Sequence, residues 1–555
     1  MKKDFVKIMF ILTALLGIQR GFSQEPLEYL FINHLGAVKD VDVMDMEIDS
    51  QGNVYVAIFT LTGSLSNNDS IIGTDANYYL LKYDPEGELL FSFAFVPPPD
   101  SGHISIGSIK ITHDDNILCT GIVKGVYQFG GNVISCENGN GFICLILADG
   151  TPQQFECLNY SDNYVVAKNF EIDDEDNVYF AGYSQDTIFY NQNNDTIYAP
   201  QGTFKMPVCK LDADFNLQWL KVFTGDYNLV GNKALTMDND NNVIIFTKLS
   251  GSNLYYDDEV YQTNESSSMV FIKMTDSGDV IWIENATGLF DNIYYNVCCD
   301  NENNIYFAAE HHSTIVFDTI EISPVSIGGE TLILSLTGDG DFRWYSQIHN
   351  TVYAPAYITP NDITIHNDNL YLAGGYIKSV YFNNILVNPV SDFYDTYITK
   401  IDKTTGDYQW IFRIYGDNIP STDWLSFGFY ESYLYISGPF SGQGTFGNTV
   451  LQSQGQIDNF IIKFNDKTVN IEETAGEITS IVYPNPGGNE FFINTESENN
   501  NIQLFDQTGR ILIEEKFKSK GLQNINTSSL PAGLYIYRLT DENGNTTNGK
   551  WIKKQ

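Results

Sequence analysis

Basic residues are scarce in this 555-residue chain. Lys and Arg together number 30 against 70 Asp and Glu, which gives a formal net charge of −40. A surface of this sign repels a phosphate backbone, so the charge balance excludes nucleic acid as a partner. Long apolar runs are also missing. No stretch approaches the roughly twenty residues of a membrane-spanning helix, and we therefore expect no transmembrane segment.

Motifs for catalysis and for zinc binding are absent as well. The chain has no G-x-S-x-G, no H-x-x-x-H and no evident Cys/His dyad, and its seven cysteines fit no zinc-site spacing. These absences weigh against an enzyme, although they do not exclude a site assembled from distant segments.

The first 24 residues have the features of a secretory leader. Lys2, Lys3 and Lys7 lie in a basic n-region, Ile8–Ile18 is apolar, and residues 21–24 precede a cut before Glu25. This pattern predicts a signal peptide over 1–24 and an exported protein. No cysteine follows the apolar segment, which argues against a lipoprotein.

The dominant feature of the chain is a repeat of about 63 residues. An aromatic or leucine marker recurs seven times, at Leu30, Phe91, Phe155, Trp219, Trp282, Trp344 and Trp410. An apolar β-run recurs with it, starting near Asn53, Asn116, Asn177, Asn242, Asn304, Asn369 and Tyr433. Strand-length runs separated by Asp/Asn/Gly turns at this period predict the blades of a β-propeller.

The order of the two markers predicts how the array closes. The aromatic marker comes first at Leu30, and the last apolar run, near Tyr433, has no aromatic marker after it. We therefore expect residues 29–36 to supply the missing strand of the last blade, which would remove an exposed sheet edge. The predicted fold is all-β: a seven-bladed β-propeller closed by the N-terminal strand, followed by a small C-terminal β-sandwich.

The sixth and seventh repeats resemble the SBBP-type β-propeller repeat of bacterial exported proteins. The residues that carry the likeness are DTYITKIDKTTGDYQWIFRIYG and GPFSGQGTFGNTVLQSQGQIDNFIIKFN. The resemblance extends over about residues 28–470, and the second repeat, which reads ADGTPQQFECL without a Trp, departs from it most. The resemblance implies a propeller domain over residues 25–467 and specifies no activity.

The C-terminal segment resembles the type A sorting domain of type IX secretion. The matching residues are Tyr483, Pro484, Asn485 and Pro486, then Gly533 and Tyr535 within LPAGLY, and finally Gly549, Lys550 and Lys553. The resemblance implies a domain over 478–555 that is handled by the type IX secretion machinery and delivered outside the cell or to its surface. Residues 468–477 would be the linker in which such domains are cut.

Two sets of polar residues are candidate sites. The turn residues Asp238, Asp240 and Asn242 place oxygens on alternate positions, as at the start of a calcium loop, but the later glycine and glutamate of such a loop are missing. Calcium is therefore one interpretation, and an Asx-type hairpin turn is the other. The second set opens the first strand of several repeats, where a propeller lines its central channel: Asp45, Ser108, Asn169, Asn296 and Asn361. These residues form either a polar ring for a sugar or an ion, or caps and water-mediated packing.

Four of the seven cysteines fall in the second repeat, at Cys119, Cys136, Cys144 and Cys157. In an exported protein they predict either one disulfide in that blade or small buried apolar side chains.

The sequence supports three functional interpretations. The first is an exported binding or interaction module with a glycan or protein ligand, displayed by long hairpins between the second and third strands of each blade. The others are an extracellular polysaccharide hydrolase or lyase with its site at the channel mouth, and a structural surface or adhesion component.

Overall fold

The computed structural model describes most of the chain. The described residues are 27–61, 64–68, 70–73, 76–96, 103–158, 170–182, 188–190, 195–197, 205–225, 228–256, 259–263, 267–288, 290–326, 328–351, 358–389, 394–419, 425–446, 449–466, 482, 487–495, 498–505, 510–540 and 546–554. The predicted signal peptide, linker and Tyr483–Pro486 motif lie outside these ranges, as does Asn169.

Every regular element in the described ranges is a β-strand, so the all-β prediction is confirmed. The first fifteen strands are β1 (Leu27–Gly36), β2 (Val41–Ile48), β3 (Val54–Thr60), β4 (Leu65–Asn67), β5 (Ser70–Gly73), β6 (Tyr78–Tyr83), β7 (Leu89–Phe95), β8 (His103–Ile111), β9 (Ile117–Phe129), β10 (Asn132–Ile146), β11 (Pro152–Leu158), β12 (Phe170–Ile172), β13 (Val178–Ala181), β14 (Ile188–Tyr190) and β15 (Asp195–Ile197). The next fifteen are β16 (Lys205–Leu211), β17 (Leu217–Gly225), β18 (Asn228–Met237), β19 (Val243–Ser250), β20 (Asn253–Tyr256), β21 (Glu259–Gln262), β22 (Ser267–Met274), β23 (Val280–Thr287), β24 (Phe290–Cys299), β25 (Ile305–His311), β26 (Ile315–Phe317), β27 (Ile320–Ile322), β28 (Glu330–Leu336), β29 (Phe342–Asn350) and β30 (Ile358–His366). The last fifteen are β31 (Asn369–Tyr376), β32 (Val380–Phe382), β33 (Ile385–Val387), β34 (Tyr394–Asp402), β35 (Tyr408–Ile419), β36 (Ser426–Tyr430), β37 (Tyr433–Phe446), β38 (Thr449–Gln452), β39 (Asp458–Asp466), β40 (Glu490–Thr495), β41 (Asn500–Phe505), β42 (Ile511–Phe517), β43 (Gly521–Asn526), β44 (Gly533–Thr540) and β45 (Thr546–Lys553).

The chain divides into two compact units, residues 1–467 and 468–555. In the first, the described strands include seven antiparallel sets of four, each in chain order except the last, and hairpin strands join some of these sets into larger sheets. They are β2-β3-β6-β7, β8-β9-β10-β11, β12-β13-β16-β17, β18-β19-β22-β23, β24-β25-β28-β29, β30-β31-β34-β35 and β36-β37-β39-β1, called here the first to seventh sheets. Their first strands contact one another in that order, and β36 of the seventh sheet contacts β2 of the first.

The N-terminal strand β1 is the outer strand of the seventh sheet. It pairs antiparallel with β39, from Leu27 opposite Asp466 to Leu35 opposite Asn459. A bulge between Tyr29 and Phe31 shifts the predicted marker by one residue. Leu30 is exposed, whereas the Phe31 ring packs on Gly87 of the first sheet. The first marker is therefore Phe31, because the bulge turns Leu30 to the solvent.

The marker residues join each sheet to the next. Glycines with positive φ in the third-to-fourth-strand turns lie against the marker of the preceding sheet: Gly87 on Phe31, Gly150 on Phe91, Gly278 on Trp219, Gly340 on Trp282 and Gly406 on Trp344. The indole N–H groups of three markers also donate to carbonyls of the next sheet: Trp219 to Asp276 (2.8 Å), Trp282 to Gly338 (3.1 Å) and Trp344 to Lys403 (3.0 Å). A side chain at these five glycines would meet the ring, so glycine is favoured there, whereas Phe215 holds the equivalent position in the third sheet.

Most of the hairpins between second and third strands pack against a neighbouring sheet. In five sheets the hairpin crosses to the outer strand of the preceding sheet and pairs with it: β4 with β1, β20 with β17, β26 with β23, β32 with β29, and the far half of β37 with β35. A positive φ recurs where the hairpin turns away, at Gly251, Lys378 and Gly442. These hairpins cover sheet edges that would otherwise be open to pairing.

The hairpin of the second sheet is joined by a covalent bond to the outer strand of its own sheet. This hairpin is the far part of β9 and β10, and a disulfide joins Cys136 on β10 to Cys157 on the outer strand β11. The structure thus assigns the one disulfide predicted for this blade to Cys136 and Cys157.

The second unit has two sheets, β40-β43 and β42-β41-β44-β45. They share one apolar core that includes Phe491, Ile493, Tyr535, Tyr537 and the fully buried Trp551. Alternating burial along β41 places every second side chain in this core, as in a sheet with one solvated face.

Candidate functional site

A polar cavity of about 420 Å³ lies between the first strands of all seven sheets. Its lining residues come from β2, β8, β12, β18, β24, β30 and β36. Because successive side chains of a strand point to opposite faces, each strand presents alternate residues to this cavity. The lining polar groups form two tiers along the strands.

The first tier contains most of the predicted ring. Asp45, Ser108 and Asn296 line the cavity, each from the first strand of its sheet. In the sixth sheet the lining residue is Asp362 instead of Asn361. A bulge between Pro360 and Asp362 is the reason, because Asn361 is its extra residue.

The carboxylates of this tier hold neighbouring sheets together. Asp45 accepts hydrogen bonds from the Ser108 hydroxyl (2.6 Å) and the Ile109 N–H (2.9 Å) of the second sheet. Asp362 accepts from Asn296 Nδ2 of the fifth sheet (2.9 Å) and from the Phe427 N–H of the seventh (3.1 Å). Each carboxylate therefore serves the packing of the sheets as well as facing the cavity.

The second tier lies two residues further along the strands. Lys110 bridges Glu47 of the first sheet (2.9 Å) and Glu171 of the third (3.2 Å), and all three side chains are about a quarter exposed. Burial lowers the pKa of Lys110, but Glu171 and Glu47 raise it by more, so the net shift is upward. Lys110 stays charged and is shared between two glutamates.

Among the described residues neither first-tier carboxyl has an ion-pair partner within 4 Å, and the charge of Lys110 only partly offsets the effect of burial on them. Burial raises the pKa of Asp45 to about 6, with a further contribution from Glu47. Burial raises the pKa of Asp362 to about 7, and the charge of Asp45 adds to this effect. Groups that titrate near neutral pH inside a cavity are typical of functional sites, although structural networks produce them too.

The predicted metal turn has the geometry of a hairpin turn. One oxygen of Asp238 accepts the N–H groups of Asp240 (3.0 Å) and Asn242 (2.9 Å), and the other lies 2.8 Å from Lys273 Nζ. Asp240 accepts from Asn303 Nδ2 of the next sheet (2.8 Å). A lysine thus already occupies the place where a cation would bind. Within the described ranges, no three His, Cys, Asp or Glu side chains are arranged to hold a metal ion.

The adjacent histidines face opposite sides of the fifth sheet. His311 is buried, with Nε2 3.9 Å from Glu330, whereas His312 is about a third exposed, with Nε2 3.5 Å from Glu310. Burial lowers the pKa of His311, which keeps this ring neutral at pH 7. The alternation of side chains across a strand accounts for the split.

The second tier is the part of the cavity that sequence reasoning missed. Glu47, Lys110 and Glu171 stand two residues after ring positions 45, 108 and 169, so the strand period of two could have identified them. The first-tier hydrogen bonds between sheets had no signal in the sequence, because they join residues more than 60 positions apart.

The described residues of the sorting motif lie in the last two strands of the second unit. Tyr535 is buried, and its hydroxyl donates to the Pro531 carbonyl (2.6 Å). Lys553 Nζ donates to the carbonyls of Thr527 and Leu530, both at 2.7 Å. Gly533 pairs with Lys553, and Gly549 and Lys550 pair with Tyr537 and Ile536. These residues secure the last strand of the unit.

Comparisons with known proteins identify this unit. Residues 481–554 match the family model described as the secretion system C-terminal sorting domain. An endo-acting ulvan lyase of Formosa agariphila is 28% identical over 122 residues, which are 21% of this chain and 24% of that protein. The chain thus matches about a quarter of the length of this curated relative.

Solved structures show more distant likeness. A quinohemoprotein alcohol dehydrogenase of Comamonas testosteroni has 9% identity over 80% of this chain and 76% of its own, with a TM-score of 0.37. An ulvan lyase from a new family of polysaccharide lyases has 11% identity over 74% of this chain and 92% of its own, with a TM-score of 0.36. At these scores neither structure supports a conclusion about fold or function.

In the described part of the chain no helix has the length and hydropathy to cross a membrane. The sorting-domain match confirms the predicted export and its route. The protein carries a C-terminal type IX sorting domain and is secreted by that system to the extracellular space or the cell surface.

Proposed function

We propose that this protein is a seven-bladed β-propeller, closed by its N-terminal strand, that acts as an exported binding or interaction module. The observation that carries the proposal is the polar cavity, to which the first strands of all seven sheets contribute. In a propeller the innermost strands surround the central channel, where ligands often bind.

Repeated contacts between neighbouring sheets support the closed ring. The marker–glycine contact joins the seventh sheet to the first in the same way as it joins the fourth to the fifth. The turns between first and second strands repeat a second contact: His113 N–H donates to Asp176, and Asn239 N–H donates to Asn303. Equivalent contacts at equivalent places are what rotation of one sheet about a common axis would produce.

The proposed domain order follows from this architecture. The signal peptide is assigned to 1–24, the propeller to 25–467, the linker to 468–477 and the sorting domain to 478–555. Cutting within the linker would leave the propeller either released or attached to the surface. The likeness to SBBP-type repeats belongs to this proposal.

The charge of the cavity restricts the ligand. Asp45, Glu47, Glu171 and Asp362 face it together with one lysine, Lys110. The propeller region 25–467 also carries the whole net charge of the chain, since the leader contributes +3 and residues 468–555 contribute −3. A neutral glycan or a protein surface fits such a site better than a polyanion does.

A polysaccharide lyase is the second candidate, and the matched ulvan lyase is the observation that favours it. One lyase structure holds a chain of GlcA and Rha3S, a uronate and a sulfated sugar. The acidic cavity opposes binding of such a polyanion, so this candidate ranks below the binding module.

A paired assay separates the two candidates. The mature protein is applied to a glycan array and, in parallel, incubated with ulvan while unsaturated products are followed by ultraviolet absorbance. The proposal predicts saturable binding without product, and binding weakened by Asp362→Asn but unchanged by Glu321→Gln on the exposed outer hairpin. Product formation that Asp362→Asn abolishes would establish the lyase instead.

A further inference from the structure

The second sheet contains two cysteine pairs, and only one is bonded in the structure. Cys136 and Cys157 form the disulfide, whereas Cys119 and Cys144 are thiols. Cys119 on β9 lies directly opposite Cys144 on β10 in the strand register. Both thiols are buried in the core between the first and second sheets.

We propose that the exported protein carries a second disulfide, between Cys119 and Cys144. Residues directly opposite on antiparallel strands have Cβ atoms about 4.5–5.5 Å apart, and a disulfide needs about 3.5–4.5 Å. A small approach of two neighbouring strands is therefore sufficient. The sorting domain sends this chain through oxidising compartments, in which such bonds form and persist.

The second sheet also has fewer of the repeated contacts that join neighbouring sheets, so a covalent bond would add most stability there. Among the described outer strands, β7 of the first sheet and β11 of the second are the two that no hairpin strand pairs with. The marker of the second sheet is Phe155, which has no indole N–H to donate to the third sheet. The second sheet thus lacks two of the repeated contacts, a paired hairpin and an indole hydrogen bond, that join several other sheets.

The residues that stand opposite the other described cysteines in the register are not cysteines. Cys209 stands between Phe180 and Leu220 in its sheet. Cys298 and Cys299 are adjacent in sequence, so they point to opposite faces of β24 and pack in different cores. Position in the register therefore distinguishes Cys119 and Cys144 from the remaining thiols.

The reaction is a thiol–disulfide exchange. The thiols of Cys119 and Cys144 lose two protons and two electrons as the S–S bond forms, and a dithiol oxidoreductase in its disulfide form is reduced to the dithiol. Burial raises the pKa of the Cys144 thiol well above its usual value, which suppresses the thiolate needed for attack. The bond therefore forms while the chain folds, before the core between the two sheets closes.

Counting thiols in the exported protein tests the proposal. Full-length protein secreted by a type IX-competent host is denatured with N-ethylmaleimide present, and its intact mass is measured. Seven cysteines with two disulfides leave three to be alkylated, at Cys209, Cys298 and Cys299, whereas one disulfide leaves five. Three adducts, with a non-reduced peptide that links residues 119 and 144, are the expected result. Five adducts, or a link from Cys119 to another cysteine, would overturn the proposal.

Two variants control for misfolding and for mispairing. Cys144→Ala should give four adducts, because Cys119 is released, and Cys209→Ala should give two. A count of two in Cys144→Ala would mean that Cys119 bonds to one of the other thiols and would also overturn the proposal.

Discussion

Buried pairs of opposite charge recur at one place in the repeat. A lysine of the third strand meets an aspartate at the turn: Lys82 with Asp49 (3.4 Å), Lys210 with Asp173 (3.5 Å) and Lys273 with Asp238 (2.8 Å). Burial alone would raise the pKa of Asp173 and of Asp238. Hydrogen bonds lower it instead, chiefly from Asn177 for Asp173 and from Lys273 and then Asn242 for Asp238. Such pairs specify the turn and are costly to break singly.

Asp362 gives a pH-dependent prediction. Its pKa in the folded protein is about 7, whereas an unfolded carboxyl has about 3.9, so the folded state binds the proton more tightly. The contribution of this group to stability is full below about pH 4 and is lost as the pH rises through about 7. Asp362→Asn, which cannot ionise, should therefore gain Tm relative to wild type as the pH rises from 5 to 8.

Thermal melts of both proteins from pH 5 to 8 check this expectation. The difference between variant and wild type isolates Asp362 from carboxyls whose pKa is lowered, such as Asp173. The exposed Glu321→Gln should show no trend with pH. A Tm difference that is constant across this range would show that Asp362 does not titrate there.

Trp282 tests the contact between neighbouring sheets. Its half-buried ring packs on Gly340 of the fifth sheet, and its indole donates to the Gly338 carbonyl. Trp282→Ala should lower the free energy of unfolding by about 2–4 kcal/mol, since a large ring and a hydrogen bond are lost. Urea denaturation measures this value, with the exposed Ile281→Ala as the control. A loss no larger than that of the control would mean that the ring contributes nothing to the contact.

The hairpins are the elements in which structure and sequence-based expectation differ most. The spacing of the repeat predicted four strands per sheet and an N-terminal strand, and the described strands follow that order. Hairpin pairing with the preceding sheet had no local signal, because partners such as Ala286 and Phe317 are distant in sequence. The Leu30 and Asn361 assignments were wrong by one residue for a related reason. A bulge depends on the pairing of two strands, which a single strand sequence does not reveal.

The hinge residues of these hairpins give a matched pair of variants. Gly442 and Lys378 both have positive φ, 68° and 70°, at the point where the hairpin turns away. An L-residue in this conformation costs about 1–2 kcal/mol relative to glycine. Gly442→Ala should therefore lower stability and Lys378→Gly should raise it, each measured by urea denaturation. Equal effects of the same sign would contradict the assigned hinge.

The N-terminal strand is the element on which the seventh sheet depends. Deleting Glu28–Gly36 exposes the edge of β39 and removes the contact of Phe31 with Gly87. We expect a marked fall in Tm, measured by differential scanning calorimetry. Deletion of the short hairpin strand β38, as the control, should lower Tm by less. An unchanged melt of the N-terminal deletion would mean that β1 is dispensable.

At the scale of the whole molecule, the two units have separate roles. The C-terminal unit accounts for export, and its last strand depends on Lys553, which donates to two carbonyls. Deleting Gly549–Gln555 removes that strand, so the protein should accumulate in the periplasm. Cell fractionation and immunoblotting locate it, with Lys554→Ala as the matched control. Normal appearance of the truncated protein outside the cell would contradict the export role.

If the N-terminal strand closes the ring, residue 28 at the start of the propeller region must lie beside residue 465 at its end. Glu28 stands opposite Asn465 in the register of β1 and β39. The double variant Glu28→Cys, Asn465→Cys should therefore cross-link within the folded, oxidised protein, and a peptide that joins positions 28 and 465 should appear by mass spectrometry. The control variant Glu28→Cys, Gln452→Cys should not cross-link, because the register keeps these two positions apart. Absence of the 28–465 peptide, or equal yields from both pairs, would contradict closure of the ring by the N-terminal strand.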